Sequence, residues 1–212
     1  MSSLLAGPGV ASAAHTHSNF WWKRQTMILS RWLHIYLSMA SFGILFFFAV
    51  TGLTLNHAEW FASQVRTVQL RGAMDAKYLA HDVDKLNVVE YLRTKHAIHG
   101  AVKDFRVEDS TCSVAFKGPG YSADVFIDRA TGRYELTESR MGFVAVLNDL
   151  HKGRDSGAAW AVIIDISAVL MTLVSLTGLL LIFFLQKKRL SGLLAACAGA
   201  VLCYLAYLAW VP

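Results

Sequence analysis

Three stretches of the chain lose the polar–apolar alternation that marks a soluble surface. Residues 32–55 are apolar apart from His34 and small hydroxyl side chains. Residues 158–185 hold Asp165 as their one charged residue, and residues 190–211 hold none. Each stretch exceeds the roughly 18 residues that a helix needs to suggest a bilayer span. The pattern between the first two is different. Residues 59–65 are amphipathic and residues 68–71 read as a strand. Residues 84–96 repeat apolar positions at helical spacing, with Leu86, Val89 and Leu92 flanked by Val88 and Tyr91, and Gly100 is the expected stop. Strand-like runs follow at 103–107, 112–116, 122–127 and 133–137. They are separated by Glu108, Asp109, Ser110 and Thr111, by the breaker Gly118, Pro119 and Gly120, and by a turn at 128–132. A short helix at 141–150 leads to the second apolar stretch. The predicted fold is a membrane protein of three transmembrane α-helices, with an extracytoplasmic α+β domain inserted between helices 1 and 2. Its expected divisions are a disordered cytoplasmic tail at 1–25, transmembrane helix 1 at 26–57, the outer domain at 58–151, transmembrane helix 2 at 152–186 and transmembrane helix 3 at 190–211.

Composition agrees: 55% of the 212 residues are hydrophobic and 17% charged, with a mean hydropathy of +0.41. Charge adds the orientation. Residues 59–155 carry 14 Lys/Arg and 14 Asp/Glu and are neutral. The net charge of +5 therefore comes from two short flanks, Lys23, Arg24 and Arg31 before the first span and Lys187, Lys188 and Arg189 between the second and third, less the one carboxylate of Asp165. The positive-inside rule puts both flanks and the N-terminus in the cytoplasm, and the middle domain and the C-terminus outside. The basic balance is thus a topology signal and implies no nucleic-acid partner. Residues 1–14 lack a leading Lys or Arg, and Gly7, Pro8 and Gly9 break any apolar core. They read as a cytoplasmic tail and not as a signal peptide, with His15 and His17 solvated. Cys112 lies in the outer domain and Cys197 and Cys203 in the third span, so no disulfide is expected. No nucleophile triad, phosphate loop or metalloprotease motif points to hydrolysis.

Ionisable residues inside a bilayer are costly and mark function by default. His34 and His57 bracket the first span, 23 residues or roughly 35 Å apart on a helix, near its cytoplasmic and outer faces respectively. His151 precedes the second span, so His57 and His151 converge at the outer interface. Two such imidazoles can be the axial ligands of a b-type haem, can share Cu or Zn, or can be interfacial residues bonded to headgroups and loop carbonyls. Glu59, Asp149 and Asp155 are near enough in sequence to accept from their ring N–H groups, and Asp149 is a further candidate for a Cu or Zn site. Asp165, about two turns into the second span, needs a polar partner, for which Asn56, Thr54 and Thr51 are candidates. It is either a structural clamp between helices or a proton- or redox-coupled group. Gly52 and Gly178 occupy corresponding Thr-Gly-Leu contexts that let a helix or a flat macrocycle approach. His96 and His99 could share a metal or simply favour positive charge at a helix C-terminus. His81 reads as a solvated loop residue.

Five groups of residues carry a resemblance to a known family. They are Arg31, Trp32, Leu33 and His34; Thr51 to His57; Asn148, Asp149, Leu150, His151, Lys152 and Gly153; Trp160 with Ile164 and Asp165; and Leu176, Thr177, Gly178 and Leu179. In their order and membrane placement they resemble the PepSY-associated transmembrane family of bacterial inner-membrane proteins, and the helix-plus-meander at 58–151 is similar to a PepSY-type domain. Some larger relatives are haem-containing reductases that pass electrons across the inner membrane to periplasmic ferric siderophores. The resemblance implies that His57 and His151 form an outer-face haem-ligand pair and that His34 is an inner-face ligand. The chain departs from larger relatives, which have four or more spans. Its third span has no His, and the inner end of the second offers Gln186 and Lys187. His34 would then take its partner from another chain, as in a twofold dimer, or the inner haem is absent.

The expected function is a small inner-membrane redox protein. It would bind haem b between helices 1 and 2 and relay electrons in periplasmic metal or respiratory chemistry. The absence of a nucleotide or flavin motif means that electrons come from another membrane subunit or the quinone pool, as in a component of a metalloreductase or respiratory complex. The alternative is a non-redox accessory subunit, anchored in the lipid bilayer, whose outer domain binds a partner protein or a Cu/Zn ion.

Overall fold

The structure, a computed structural model, describes residues 11–80, 82–185 and 187–211, with side chains from Trp21 onward. His81 and Gln186 lie outside the described residues, as do the first ten residues of the expected tail. Contacts divide the chain into two compact units. One comprises Met1–Ile44 with Ser167–Pro212, and the other Leu45–Ile166.

Helix α1 (Ala11–Asn56) is 46 residues long and starts well before residue 26. This corrects the expected tail. After the Gly7, Pro8, Gly9 breaker, residues 11–25 contain neither Gly nor Pro, and nothing in their backbone chemistry opposes helix. Helices α4 (Ala158–Phe184) and α5 (Arg189–Trp210) correspond to the second and third apolar stretches. All three helices are long and apolar enough to cross a membrane. Their large side chains face outward, Phe42, Phe46, Val169 and Leu202 among them. The positions they bury are small hydroxyls: Ser30, Ser41, Thr51, Ser167 and Thr177. That is the pattern of helices solvated by lipid, where apolar bulk needs no hiding and small residues let backbones approach.

The second unit contains an α+β domain. A 3-10 turn (Ala58–Gln64) follows α1 and leads into β1 (Arg66–Ala73). Then come α2 (Lys85–His96), β2 (Ala101–Val107), β3 (Thr111–Gly118), β4 (Tyr121–Asp128), β5 (Arg133–Arg140) and α3 (Phe143–Lys152). The five strands form one antiparallel sheet in the order β1-β5-β4-β3-β2. Strands β2 to β5 are the expected meander, and β1 closes its far edge.

Period-two alternation sets the core. Cys112, Val114 and Phe116 of β3, Ala123, Val125 and Ile127 of β4, and Tyr134 and Leu136 of β5 are all buried. The register lines them up in rows, Cys112–Ile127–Tyr134 and Val114–Val125–Leu136. Val88 and Leu92 of α2, fully buried, complete the cluster. Large residues meet small ones across the rows. Phe116 lies opposite Ala123, and Tyr134 lies opposite Gly72, where an added Cβ would collide with the phenol. Both edge strands carry charge, Lys103, Asp104 and Arg106 on β2 and Arg66 and Arg71 on β1, which discourages pairing with another sheet.

Helix α2 begins at Asp84, whose carboxylate accepts from the Asn87 amide at 3.1 Å. It ends three residues earlier than Gly100 suggested, at Ala97 in the left-handed region (φ 51°). His96 and His99 do not share neighbours. His96 Nε2 lies 2.8 Å from the Tyr134 hydroxyl, while the His99 ring is near Tyr121. Burial holds the His96 imidazole below its ordinary value of 6.5, and Lys95 acts in the same direction. Desolvation thus outweighs the helix dipole that would favour a charged ring.

Two predictions follow from this packing. Leu92→Ala should destabilise the domain by about 2–5 kcal/mol, the usual range for a buried leucine, measured as a shift in the denaturant midpoint. The fold favours neutral His96, so its stabilisation is complete above pH 6.5 and is lost as pH falls through the lower folded-state value. Thermal midpoints across this window should drop on acidification, and His96→Gln should flatten that slope.

Candidate functional site

In the second unit, the end of α1 and helix α3 are joined by two polar rungs. Thr51 Oγ1 lies 2.6 Å from His151 Nδ1, and the Thr54 hydroxyl donates to Asn148 Oδ1 at 2.7 Å. Both pairs are spaced by three residues, 51 with 54 and 148 with 151. The rungs therefore line one face of each segment, and the segments run antiparallel. The Asp149 carboxylate accepts from the Gly120 amide at 2.9 Å and ties α3 to the β3–β4 turn. Gly120 has φ +65°, and a Cβ there would press into Val146, so only glycine lets α3 approach so closely. The Trp160 indole donates to the Leu150 carbonyl at 2.8 Å, an acceptor it shares with the Gly153 amide at the helix end. Gly153 closes the helix in the left-handed region.

His151 sits against α1 as a plate against a wall. Its ring centroid is 5.0 Å from that of Phe48, edge to face. A Cβ built on Gly52 would lie 3.7 Å from its Cε1. Thr51 is buried, and its hydroxyl also reaches the Phe47 carbonyl one turn back at 2.6 Å.

In the first unit the same arrangement recurs. His34 Nδ1 lies 3.1 Å from Thr177 Oγ1, and the Thr177 hydroxyl reaches the Leu173 and Val174 carbonyls, each at 2.9 Å. A Cβ on Gly178 would lie 3.1 Å from His34 Cε1. Each Thr-Gly pair thus faces one imidazole: the hydroxyl meets Nδ1 and the glycine lies beside Cε1, closely at Gly178 and at ordinary contact distance at Gly52.

His57 has other surroundings. It follows the end of α1, its ring stacks on Trp60 at 4.0 Å, and its Nδ1 is 3.4 Å from Glu59. His57 and His151 therefore have separate hydrogen-bond partners. Of the three acidic residues expected to support them, Glu59 alone approaches a histidine. Asp149 is engaged by Gly120, and Asp155 pairs with Lys103 at 2.9 Å. The expected clamp on Asp165 does not form. Thr51 is committed to His151 and Thr54 to Asn148, and Asn56 and Asp165 are both exposed. Among the described residues Asp165 has no hydrogen-bond or ion-pair partner. The helix–helix polar link runs instead through Thr51, Thr54 and α3. Among the described residues no group of three or more His, Cys, Asp or Glu side chains is placed to hold a metal ion.

The partners Thr177 of His34 and Asn148 of Thr54 were not singled out by sequence reasoning. The signal for the first was present in the duplicated Thr-Gly-Leu, which marks both seats.

Three helices able to span a membrane, with an α+β domain inserted between the first and second, define the class as a few-span membrane protein. The family model for PepSY_TM-like proteins matches residues 28–212, and the chain belongs to this PepSY-associated transmembrane family. No curated protein and no solved structure matches it.

The two seats differ in how tightly they hold the ring, which makes them separable. Gly178→Ala should push on His34 and lower the thermal midpoint in detergent. Gly52→Ala has room at ordinary contact distance and should be neutral, or stabilising by up to about 1 kcal/mol through helix propensity. A larger loss at Gly52 than at Gly178 would contradict this geometry.

Proposed function

We propose that this protein is a small bacterial inner-membrane redox protein. It binds b-type haem through span-associated histidines and relays electrons in periplasmic metal or respiratory chemistry. The supporting observation is the seating of His151 and His34, each held through Nδ1 by a buried threonine hydroxyl. A neutral imidazole anchored at one nitrogen has the donor chemistry that haem iron takes from protein. The residues present fit such a group. His151 and His57 would hold it at the outer interface, and His34 would serve a second site with a ligand from another subunit or another copy of the chain. Bound there, haem would supply reversible one-electron transfer. The chain's own contribution is to fix the rings, surround them with outward-facing Phe, Leu and Val side chains, and exclude water. In this reading the N-terminus is cytoplasmic, and the α+β domain and the C-terminus are periplasmic, following the basic flanks. The sheet domain would dock the electron acceptor or a companion subunit.

A Cu or Zn site at His57 and His151 has less support, because Asp149, the nearest candidate third ligand in sequence, is engaged by the Gly120 amide.

The test is a reduced-minus-oxidised visible spectrum of detergent-purified protein expressed with ample haem. We expect b-haem bands that fall by more than half in His151→Ala and in His57→Ala. Wild type free of any Soret band would sink the relay reading and favour the accessory-subunit alternative. Bands that persist unchanged in His57→Ala would remove His57 from the ligand set.

A further inference from the structure

A threonine hydroxyl has one proton, and in both seats its destination is settled by the backbone. Thr51 Oγ1 is 2.6 Å from the Phe47 carbonyl oxygen. Two oxygens so close, neither donating, would repel strongly, and the carbonyl has no proton to give. The hydroxyl proton therefore lies toward Phe47. The 2.6 Å contact with His151 must then be a bond that the imidazole donates. The same holds for Thr177, whose hydroxyl faces the Leu173 and Val174 carbonyls and whose contact to His34 Nδ1 must be filled by an N–H. From this we infer that Thr51 and Thr177 are positioning residues. Each holds its histidine as the Nδ1–H tautomer, which leaves the lone pair on Nε2.

The consequence is chemical. A neutral histidine in water favours the opposite tautomer, with the proton on Nε2. Such a ring would have to shift its proton before Nε2 could ligate anything. The seat removes that step at both histidines, and the helix carbonyl is what enforces it. Sequence local to the histidines does not show this, since the controlling atoms belong to another segment, 100 residues away for His151 and 143 for His34. The tautomer stands on the hydrogen bonds alone. Its use for haem ligation rests on the function proposed above.

The experiment uses full-length protein labelled with nitrogen-15 histidine, expressed without haem supply, in detergent micelles at alkaline pH. Long-range nitrogen–proton spectra report which ring nitrogen carries the proton. Thr51→Val and Thr177→Val remove each hydroxyl at nearly constant shape, and Thr51→Ser and Thr177→Ser restore it. His151 and His34 should show the Nδ1–H pattern in wild type. Each should invert to Nε2–H in its own valine variant only, and return in the serine variant. Size-exclusion profiles identify any variant that fails to fold, and for such a variant the wild-type pattern and the serine variant decide. Haem-loaded samples form a second arm, in which each valine variant should weaken haem retention about 10-fold or more, the usual cost of losing a ligand's supporting bond. Nε2–H rings in wild type would overturn the inference even if haem binds. Nδ1–H rings in a protein that takes up no haem would leave the positioning role standing and remove the haem reading.

Discussion

In hydrocarbon, a side-chain hydroxyl has no water to receive its proton, so it returns the proton to a carbonyl one turn back on its own helix. Thr51 and Thr177 both do so, and each is left with an oxygen that can only accept. Other features of the polar sites follow from that constraint. The acceptor calls for an N–H, a histidine supplies it, and at His34 the neighbouring Gly178 leaves room for the ring. The rung from Thr54 to Asn148 then fixes how α3 lies along the end of α1, and the Gly120 amide holds α3 from the other side. One small habit of hydroxyls in lipid thereby reaches into the register of a helix that belongs to the sheet domain.

The two parts of the chain are stabilised on different principles. The sheet domain is built as soluble proteins are, with rows of alternating aliphatic side chains under one helix and charges along both edge strands. Beside that core the half-buried His96 is biased toward its neutral form by desolvation. The spanning helices hide little apolar bulk, and the side chains they bury are small hydroxyls. Glycine serves both parts for different reasons. At Gly120 it supplies a backbone angle and space for Val146, at Gly72 it clears room for a phenol, and at Gly178 it leaves room for an imidazole edge.

Most of the architecture was legible in the amino-acid pattern. The three apolar runs, the helix before the meander and all five strands correspond to observed elements, because periodicity and turn residues report local geometry directly. The misplacements have local causes too. The helix-rich residues after Gly9 were read as tail, and Ala97 ends α2 in a conformation that glycine more often takes, ahead of the Gly100 that drew attention. The site was legible only in part. His34, His57 and His151 stood out by their cost in a membrane, and the paired Thr-Gly contexts were visible. Which threonine meets which histidine was not, since that depends on rotation of one segment about another. The sequence therefore offers Thr51 only as one of three candidate partners for Asp165, and nothing in it pairs Asn148 with Thr54.

The hydroxyl positions buried along the spans invert the usual relation between hydrophobicity and tolerance to change. In the sheet domain, exchanging one aliphatic residue for another disturbs a packed row. In the helices, large apolar residues such as Phe46, Val169 and Leu202 are exposed, and a surrounding bilayer would accept any shape there. The small polar residues Ser30, Ser41, Thr51 and Thr177 lie against protein. Sequence drift in this chain would thus run fast through its most hydrophobic letters and slow through its serines and threonines. A hydropathy profile would stay constant along such a lineage while a few hydroxyls recorded its ancestry.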